Sequence, residues 1–298
     1  MLYKKLGKTG EKIPHLGLGT WKIPEGSVHG RDALVEGLKL GATLVDTAEM
    51  YANENIVGEA IRLFGGDVFL MTKVSPHHFR HDDVIRACEA SLSRLKVKSI
   101  DLYQLHWPNH SIPISETMGA MEELVERGKI RHIGVSNFDE KELIEAQEAM
   151  RKYEVVSNQI EYSLSVREPE KGLLQFCEKE GITVFAYSPL SRGRVLDKKF
   201  VDVFDGLSKK YKASTAQIAL NYLARAKGVV PIPKSGDLEH TRENVHSLDF
   251  ELGEADIRRI DSLSGSGKPL AGRALSAFLK NTGAWSKAME AFERRRKK

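Results

Sequence analysis

The sequence predicts an α/β protein built as a single (β/α)8 TIM barrel. Short runs rich in β-branched residues alternate with longer segments of helical spacing, which indicates a parallel sheet with helical crossovers. Eight such units occupy roughly 260 residues, as in a closed barrel. An open doubly wound sheet is the alternative, but its dinucleotide fingerprint is missing: Gly17 and Gly19 follow the first strand, and Lys22 stands where a third glycine belongs.

A β-hairpin precedes the barrel, with strands at residues 3–6 and 12–15 around a Lys-Thr-Gly-Glu turn at residues 8–11. Eight strands of the barrel follow, each with a helix after it, and the last two are followed by two helices each. The predicted strands are residues 16–19, 43–46, 68–72, 100–105, 130–135, 155–160, 183–187 and 229–232. The predicted helices are residues 31–40, 55–63, 82–95, 115–127, 140–150, 168–180, 201–211, 215–226, 238–245 and 254–263.

The pattern changes after the eighth unit. Residues 1–264 form the predicted barrel domain, and residues 265–298 form a C-terminal extension with helices at 274–279 and 284–292 and a basic tail. We expect this extension to pack on the barrel; leaning over the barrel mouth or meeting another subunit are the alternatives.

Composition excludes several classes of protein. The hydrophobic fraction of 41% and charged fraction of 29% are typical of a globular chain, and no apolar run approaches the roughly 20 residues of a membrane span. The net charge of +4 comes from the five basic residues at 294–298, so no nucleic-acid partner is expected. Cys88 and Cys177 form no CxxC motif and are predicted to be buried thiols of a cytoplasmic protein.

Four chemically active side chains stand at neighbouring strand ends. Asp46 ends the second strand with Tyr51 five residues later, Lys73 ends the third and His106 the fourth. In such a barrel, catalytic side chains project from the carboxyl ends of strands. A lysine beside a tyrosine is expected to lower the phenol pKa, an aspartate to hold that lysine, and a histidine to orient a carbonyl. Together they indicate proton transfer in carbonyl or alcohol chemistry.

Five segments in order resemble the signatures of the aldo-keto reductases, over nearly the whole chain to about residue 263. The sequence GATLVDTAEMYANENIVG at 41–58 matches the first signature closely. LHWP at 105–108, GVSNF at 134–138, NQIEY at 158–162 and IPKS at 232–235 match four more. The chain resembles the prokaryotic and archaeal aldehyde reductases and alcohol dehydrogenases of this family.

The resemblance implies an NAD(P)(H)-dependent oxidoreductase (EC 1.1.1.-) with a catalytic tetrad of Asp46, Tyr51, Lys73 and His106. By analogy, hydride comes from C4 of the nicotinamide, Tyr51 is the general acid and base, Lys73 tunes it, and His106 orients the carbonyl. No metal is implied. The cofactor contacts implied are Thr20, Asp46, Ser136, Asn137, Gln159, Tyr187, Ser188, Leu190, Gly193, Lys234, Ser235, His240, Glu243 and Asn244.

The adenosine end departs from the family. His240 stands where NADP-preferring members have an arginine, and it cannot fork to a 2′-phosphate. Asp237 would repel a phosphate, and Arg242 is expected to point elsewhere, whereas Lys234 still favours one. We therefore expect use of both NAD(H) and NADP(H), with a lean to NAD(H).

The substrate pocket is predicted from aromatic residues after the first and fourth strands. Trp21 and Trp107, with Met50, are expected to wall it, and His77 and Phe79 to join them; core packing is the alternative. Such a pocket suits small or aryl aldehydes, α-dicarbonyls or secondary alcohols. The histidines at 77, 78 and 81 are not expected to bind metal, because no cysteine accompanies them.

Two other functions stay open at this stage. Some relatives are regulatory subunits that bind nicotinamide cofactor and a partner protein with little turnover, although retention of the whole tetrad argues against that. The other alternative is a barrel lyase or isomerase in which Lys73 forms a Schiff base with the substrate. We expect a monomer or weak homo-oligomer, and a short loop at residues 191–199 that allows quick cofactor exchange.

Overall fold

A computed structural model describes residues 2–196 and 198–263. The predicted C-terminal extension at residues 265–298, with its expected helices at 274–279 and 284–292 and its basic tail, lies outside these residues, as does the predicted boundary at 264/265. No helix in the described ranges is long and apolar enough to cross a bilayer.

Eight parallel strands form the barrel, and a two-stranded antiparallel hairpin precedes it. The hairpin strands are β1 (Tyr3–Lys5) and β2 (Lys12–Pro14), and the barrel strands are β3 (Leu18–Gly19), β4 (Leu44–Asp46), β5 (Phe69–Val74), β6 (Ile100–Leu105), β7 (Ile130–Ser136), β8 (Val155–Glu161), β9 (Thr183–Tyr187) and β10 (Val229–Ile232). The helices are α1 (Val28–Lys39), α2 (Glu54–Phe64), α3 (His81–Leu95), α4 (Ile114–Glu126), α5 (Glu140–Glu148), α6 (Leu173–Glu180), α7 (Lys198–Tyr211), α8 (Thr215–Arg225), α9 (Leu238–Val245) and α10 (Glu254–Ser262).

The barrel closes between its first and last strands. From β3 to β10 each strand pairs in parallel with the next one in sequence. Gly19 then bridges to Lys234, with its backbone N–H donating to the Pro233 carbonyl at 2.8 Å. A Cβ on Gly19 would lie 2.9 Å from the Ile232 carbonyl oxygen, so only glycine allows this approach.

Apolar side chains fill two layers of core. The inner layer lies inside the barrel and includes Phe69, Met71, Leu102 and Phe185. The outer layer lies between the strands and the helices and includes both cysteines, which are free and buried on α3 and α6 as predicted.

The hairpin covers the amino-terminal end of the barrel. Leu6 belongs to the inner core layer, and the Gly7 N–H donates to the Thr183 hydroxyl at 2.8 Å. Lys4 Nζ donates to three carbonyl oxygens at the end of α8 and the start of β10, at 2.5–2.7 Å (Ala224, Ala226 and Val229). The ammonium therefore satisfies carbonyls that the end of a helix leaves open.

Three helices differ from the prediction by three residues or more. Helix α7 begins at Lys198, three residues before the predicted start at 201. The helix predicted at 168–180 is a 3-10 turn (Glu168–Lys171) followed by α6, because Gly172 between them has a non-helical backbone (φ 162°, ψ −53°). Helix α1 begins three residues before the predicted start, because the Ser27 hydroxyl accepts the Gly30 N–H at 3.0 Å and caps the helix there.

Candidate active site

The carboxyl ends of the barrel strands surround one large cleft. Its volume of about 1530 Å³ exceeds the roughly 300–1000 Å³ of pockets for drug-sized ligands. Most of the predicted site residues line it: Thr20, Trp21, Asp46, Met50, Tyr51, His106, Trp107, Ser136, Asn137, Gln159, Tyr187, Ser188, Leu190, Gly193, Lys234, His240, Glu243 and Asn244. Lys73 lies buried directly behind the cleft wall, and Ser235 is also buried and does not reach the cleft.

A buried ion pair lies at the base of the cleft. Lys73 Nζ contacts both Asp46 carboxylate oxygens and the Thr47 carbonyl oxygen, each at 2.8 Å. Burial raises the pKa of Asp46 and lowers the pKa of Lys73, and the opposite charge of each partner works against both changes. Strand geometry explains the contact, because Asp46 ends β4 and Lys73 lies near the end of the adjacent β5.

Tyr51 lies on a single 3-10 turn, Glu49–Tyr51, between β4 and α2. Its hydroxyl is 3.5 Å from Lys73 Nζ. The expectation that Lys73 lowers the pKa of Tyr51 is wrong for this structure: burial, and then the charge of Asp46, raise that pKa well above its usual value of 10.0. The reason is that Lys73 directs its charge at Asp46. The phenol is therefore a protonated hydrogen-bond donor at neutral pH.

His106 faces Tyr51 across the cleft floor, with the ring centroids 5.5 Å apart and the rings edge-on. Burial, followed by the charge of Lys73, lowers the pKa of His106 well below its usual value of 6.5. The imidazole is therefore neutral. Its Nδ1 is buried and has no hydrogen-bond partner among the described residues.

A polar network joins the next three strand ends to the ion pair. The Gln159 amide donates to Asp46 Oδ1 at 2.8 Å. The Asn137 amide donates to the His106 carbonyl oxygen at 3.0 Å and to Ser136 Oγ at 2.9 Å, and the Tyr187 hydroxyl donates to Asn137 Oδ1 at 2.8 Å. These residues, which the family resemblance assigns to a nicotinamide, are thus brought together beside the tetrad.

The far end of the cleft contains Lys234 and the start of α9. The Asp237 carboxylate accepts the His240 N–H at 3.0 Å and caps the helix. The His240 side chain is 76% exposed. Arg242 points away, as predicted, and its Nε donates to Glu36 at 2.7 Å.

Side chains of the cleft fit a nicotinamide dinucleotide. Small amide and hydroxyl groups and the ring of Tyr187 lie at one end, where a carboxamide and its ring can be met by hydrogen bonds and an aromatic face. Lys234 and a helix amino terminus lie at the other end, where phosphate groups are favoured.

All but one of the residues predicted to wall a substrate pocket line the cleft. Trp21, Met50, Trp107 and His77 line it. Phe79 does not, because its side chain is only 1% exposed and packs in the outer core.

The other histidines of the loop after β5 face separate carboxylates. His78 contacts Glu49, and His81 contacts Asp82 and Glu123. Within the part of the chain that the structure describes, no three His, Cys, Asp or Glu side chains are grouped as metal ligands.

Several residues in the cleft or buried behind its wall were missed from the sequence. The cations of Lys22 and Arg192 lie 4.5 Å and 5.2 Å from the ring centroid of Trp21. Their position in the sequence could have identified them, because Lys22 directly follows Trp21 and Arg192 directly precedes Gly193. Asn53 was also missed: its fully buried amide donates to the Thr20 carbonyl at 2.8 Å and accepts from the Thr47 hydroxyl at 2.9 Å. It thus ties the loop after β3 to the end of β4.

Comparison with known proteins shows the family of this chain. The family model described as "Aldo/keto reductase family" matches residues 15–264. A methylglyoxal reductase of Escherichia coli is 38% identical over 257 residues (84% of this chain, 90% of that protein), and a glyoxal reductase of Bacillus subtilis is 35% identical over 260 residues (86% and 90%).

Solved structures show the same relationship. The thermostable aldo-keto reductase Tm1743, solved with the inhibitor epalrestat, has a TM-score of 0.83 and 43% identity, covering 88% of this chain and all of that one. An aldo/keto reductase of Klebsiella pneumoniae, solved with NADP and acetate, has a TM-score of 0.79 and 36% identity, covering 89% of this chain and 97% of that one. This chain therefore belongs to the aldo/keto reductase family and is an oxidoreductase that uses a nicotinamide cofactor to reduce carbonyl compounds.

Proposed function

We propose that this enzyme reduces small aldehydes and α-dicarbonyl compounds to alcohols, with Tyr51 as the proton donor. The observation that carries the proposal is the position of the Tyr51 hydroxyl, which lies 3.5 Å from the fully buried Lys73 on a residue that lines the cleft floor. The substrate class is supported by the names of two relatives, a methylglyoxal reductase and a glyoxal reductase. The walls formed by Trp21, Met50 and Trp107 favour a compact, weakly polar carbonyl compound.

Each tetrad residue has a distinct part in this proposal. The bound cofactor supplies hydride from C4 of its reduced nicotinamide ring. Tyr51 donates its proton to the carbonyl oxygen, and neutral His106 orients that oxygen by a hydrogen bond. Lys73 stabilises the phenolate that proton transfer leaves, and Asp46 keeps Lys73 in place. In the oxidation direction, Tyr51 accepts the proton from the alcohol.

The cofactor is proposed to lie along the cleft from the tetrad to α9. Ser136, Asn137 and Gln159 would hold its carboxamide by hydrogen bonds, and the ring of Tyr187 would support the nicotinamide ring. The remaining proposed contacts are Thr20, Asp46, Ser188, Leu190, Gly193, Lys234, His240, Glu243 and Asn244. Ser235 is omitted from this set because its side chain is buried away from the cleft.

We also propose use of both NAD(H) and NADP(H), with a lean to NAD(H). His240 cannot make the forked contact that an arginine makes with a phosphate. Asp237 is the N-cap residue of α9. Its carboxylate lies where a 2′-phosphate would otherwise be stabilised by the partial positive charge of the helix amino terminus. The Klebsiella pneumoniae structures contain NADP and NADPH and give no support to the lean, which rests on these two residues.

A matched titration and turnover assay tests the proposal. NADH and NADPH are each titrated by intrinsic fluorescence, and turnover is followed by absorbance with methylglyoxal and a panel of small aldehydes. Tyr51→Phe is expected to bind the cofactor as wild type does and to lose nearly all turnover. Binding without turnover of any carbonyl by the wild type would refute the reductase mechanism. A tenfold or greater preference for NADPH in kcat/KM would refute the lean to NAD(H).

We propose a cytoplasmic location and a monomeric or weakly associating enzyme. The two buried free thiols support a reducing compartment. Cell fractionation tests the location, and analytical ultracentrifugation tests the state of association; a stable oligomer at micromolar concentration would contradict the second statement.

A further inference from the structure

We propose that Glu49 is a positioning residue that holds the Tyr51 turn against the strand that carries Lys73. Glu49 takes no part in the tetrad and does not line the cleft. Its carboxylate reaches instead to the loop after β5, where it accepts the backbone N–H of Ser75, two residues beyond Lys73. Its side chain is only 10% exposed, so this bond is shielded from water.

The turn that carries Tyr51 needs such a tether. It is a single turn held by two backbone hydrogen bonds, Tyr51 N–H to Ala48 at 3.0 Å and Ala52 N–H to Glu49 at 3.2 Å. No side chain caps it, and Ala52 ends it in the left-handed conformation (φ 53°). One turn of helix is not stable alone, so its position depends on contacts with its surroundings.

Glu49 holds the turn close to the contact between the Tyr51 hydroxyl and Lys73 Nζ, where the distance between the two groups is important for proton transfer. Lys73 Nζ is 3.5 Å from the Tyr51 hydroxyl and 5.0 Å from the centre of its ring. On the other side of Lys73, the Glu54 carboxylate accepts the Thr72 hydroxyl at 2.6 Å. The chain from Asp46 to Glu54 is thus attached to β5 immediately before and shortly after Lys73. Glu54 also pairs with Arg94, which gives it a wider structural role.

His78 completes the Glu49 contact from the solvent side. Its Nδ1 lies 3.1 Å and 3.3 Å from the two Glu49 oxygens, and its side chain is 50% exposed. An exposed pair of this kind contributes little. We therefore assign the positioning effect to the buried bond with Ser75.

Ser75 allows that bond to be removed from the opposite partner. Its backbone (φ −64°, ψ 142°) already matches the conformation of proline, so Ser75→Pro removes the N–H without forcing a new backbone shape. Ser75→Ala is the matched control, because it keeps the N–H and loses only the hydroxyl that caps the following turn. Glu49→Gln keeps an oxygen acceptor, whereas Glu49→Ala removes it.

The inference rests on carbonyl reduction by this site, so wild-type turnover of methylglyoxal is measured in the same assay. Glu49→Ala and Ser75→Pro are each expected to lower kcat by about 10- to 100-fold, the effect of roughly 1 Å of misplacement. The cofactor dissociation constant, measured by fluorescence, is expected to stay within about threefold, because every proposed cofactor contact except Asp46 lies outside the segment from Asp46 to Glu54. Glu49→Gln and Ser75→Ala are expected to keep kcat within about threefold, and the Glu49→Ala, Ser75→Pro double variant to be no slower than either single one.

Three results would overturn the proposal: Ser75→Pro as active as Ser75→Ala, Glu49→Gln as slow as Glu49→Ala, or multiplied effects in the double variant. A crystal structure of Ser75→Pro supplies a readout that needs no turnover. We expect the Tyr51 hydroxyl to have moved away from Lys73 Nζ, and an unchanged position would refute the inference. Failure of the wild type to turn over any carbonyl would refute the reaction instead, and the crystal structure would still test the tether.

Discussion

Replacing Asp46 by asparagine tests how the tetrad is held together. The Lys73 side chain is 0% exposed and the Asp46 side chain 4% exposed, so the change leaves a cation in the core without its counter-charge. Breaking a buried pair from one side costs about 3–5 kcal/mol. Lys73 keeps its bond to the Thr47 carbonyl, which places the expected loss near the lower end, about 3 kcal/mol. A loss of that size corresponds to a fall in Tm of about 6–10 °C.

The sign of the pH effect follows from the charge on Lys73. In the wild type Asp46 opposes the lowering of the Lys73 pKa by burial. Without Asp46 the pKa of Lys73 falls further below its usual 10.5. At pH values between that lowered pKa and 10.5, the folded variant binds fewer protons than its unfolded chain. The stability of Asp46→Asn relative to the wild type should therefore rise as pH increases towards 10.5.

Urea unfolding of wild type and variant between pH 7 and pH 10 measures both effects. The control is Asp46→Asn combined with Lys73→Met, which removes the buried charge and should recover about 2 kcal/mol of the loss. A loss below about 1 kcal/mol, or a double variant no more stable than the single one, would show that the buried charge is not the cause.

Three further predictions concern the cofactor, the pH profile and the hairpin. His240→Arg is expected to shift the kcat/KM ratio towards NADPH about tenfold, because a guanidinium forks to phosphate; an unchanged ratio would contradict the role given to His240. Reduction at saturating cofactor is expected to be flat from about pH 7 to 9, because the pKa of Tyr51 lies above this range and that of His106 below it; a midpoint within the range would show that one of them titrates there. Lys4→Met is expected to lower the free energy of unfolding at pH 7 by about 2 kcal/mol through loss of three carbonyl contacts, with the exposed Lys5→Met as control; equal stability of the two variants would refute it.

The barrel was predictable because its signals are local. Runs such as residues 100–105 and 183–187 are mostly aliphatic and aromatic and are followed by turn-forming residues, and both strands lie where predicted. The start of the helix predicted at 168–180 was harder to predict, because a glycine inside a helical pattern breaks a helix in one context and is tolerated in another. Here Gly172 breaks it.

Some features of the site were likewise predictable from the sequence, and others were not. The clustering of Asp46, Tyr51, Lys73 and His106 was predictable, because Asp46, Lys73 and His106 stand at the ends of neighbouring strands and Tyr51 follows Asp46 by five residues. Their catalytic roles remain a proposal. The pKa of Tyr51 was not predictable, because its direction depends on burial and on which partner Lys73 faces. The contact of Glu49 with Ser75 joins residues 26 positions apart. It could not be predicted from the sequence, because the donor is a backbone N–H and does not depend on the side chain at position 75.

Closure of the barrel has a consequence for its synthesis. Gly19 pairs with Lys234, and at about 5–20 residues per second a ribosome needs roughly 10–40 s to make the chain between them. During that interval the strand made first has one open edge, which invites pairing with other chains. Strand β3 is only two residues long, too short to offer a neighbouring nascent chain much of a ladder. The short length of β3 thus limits the edge that is open to such pairing until β10 has been made.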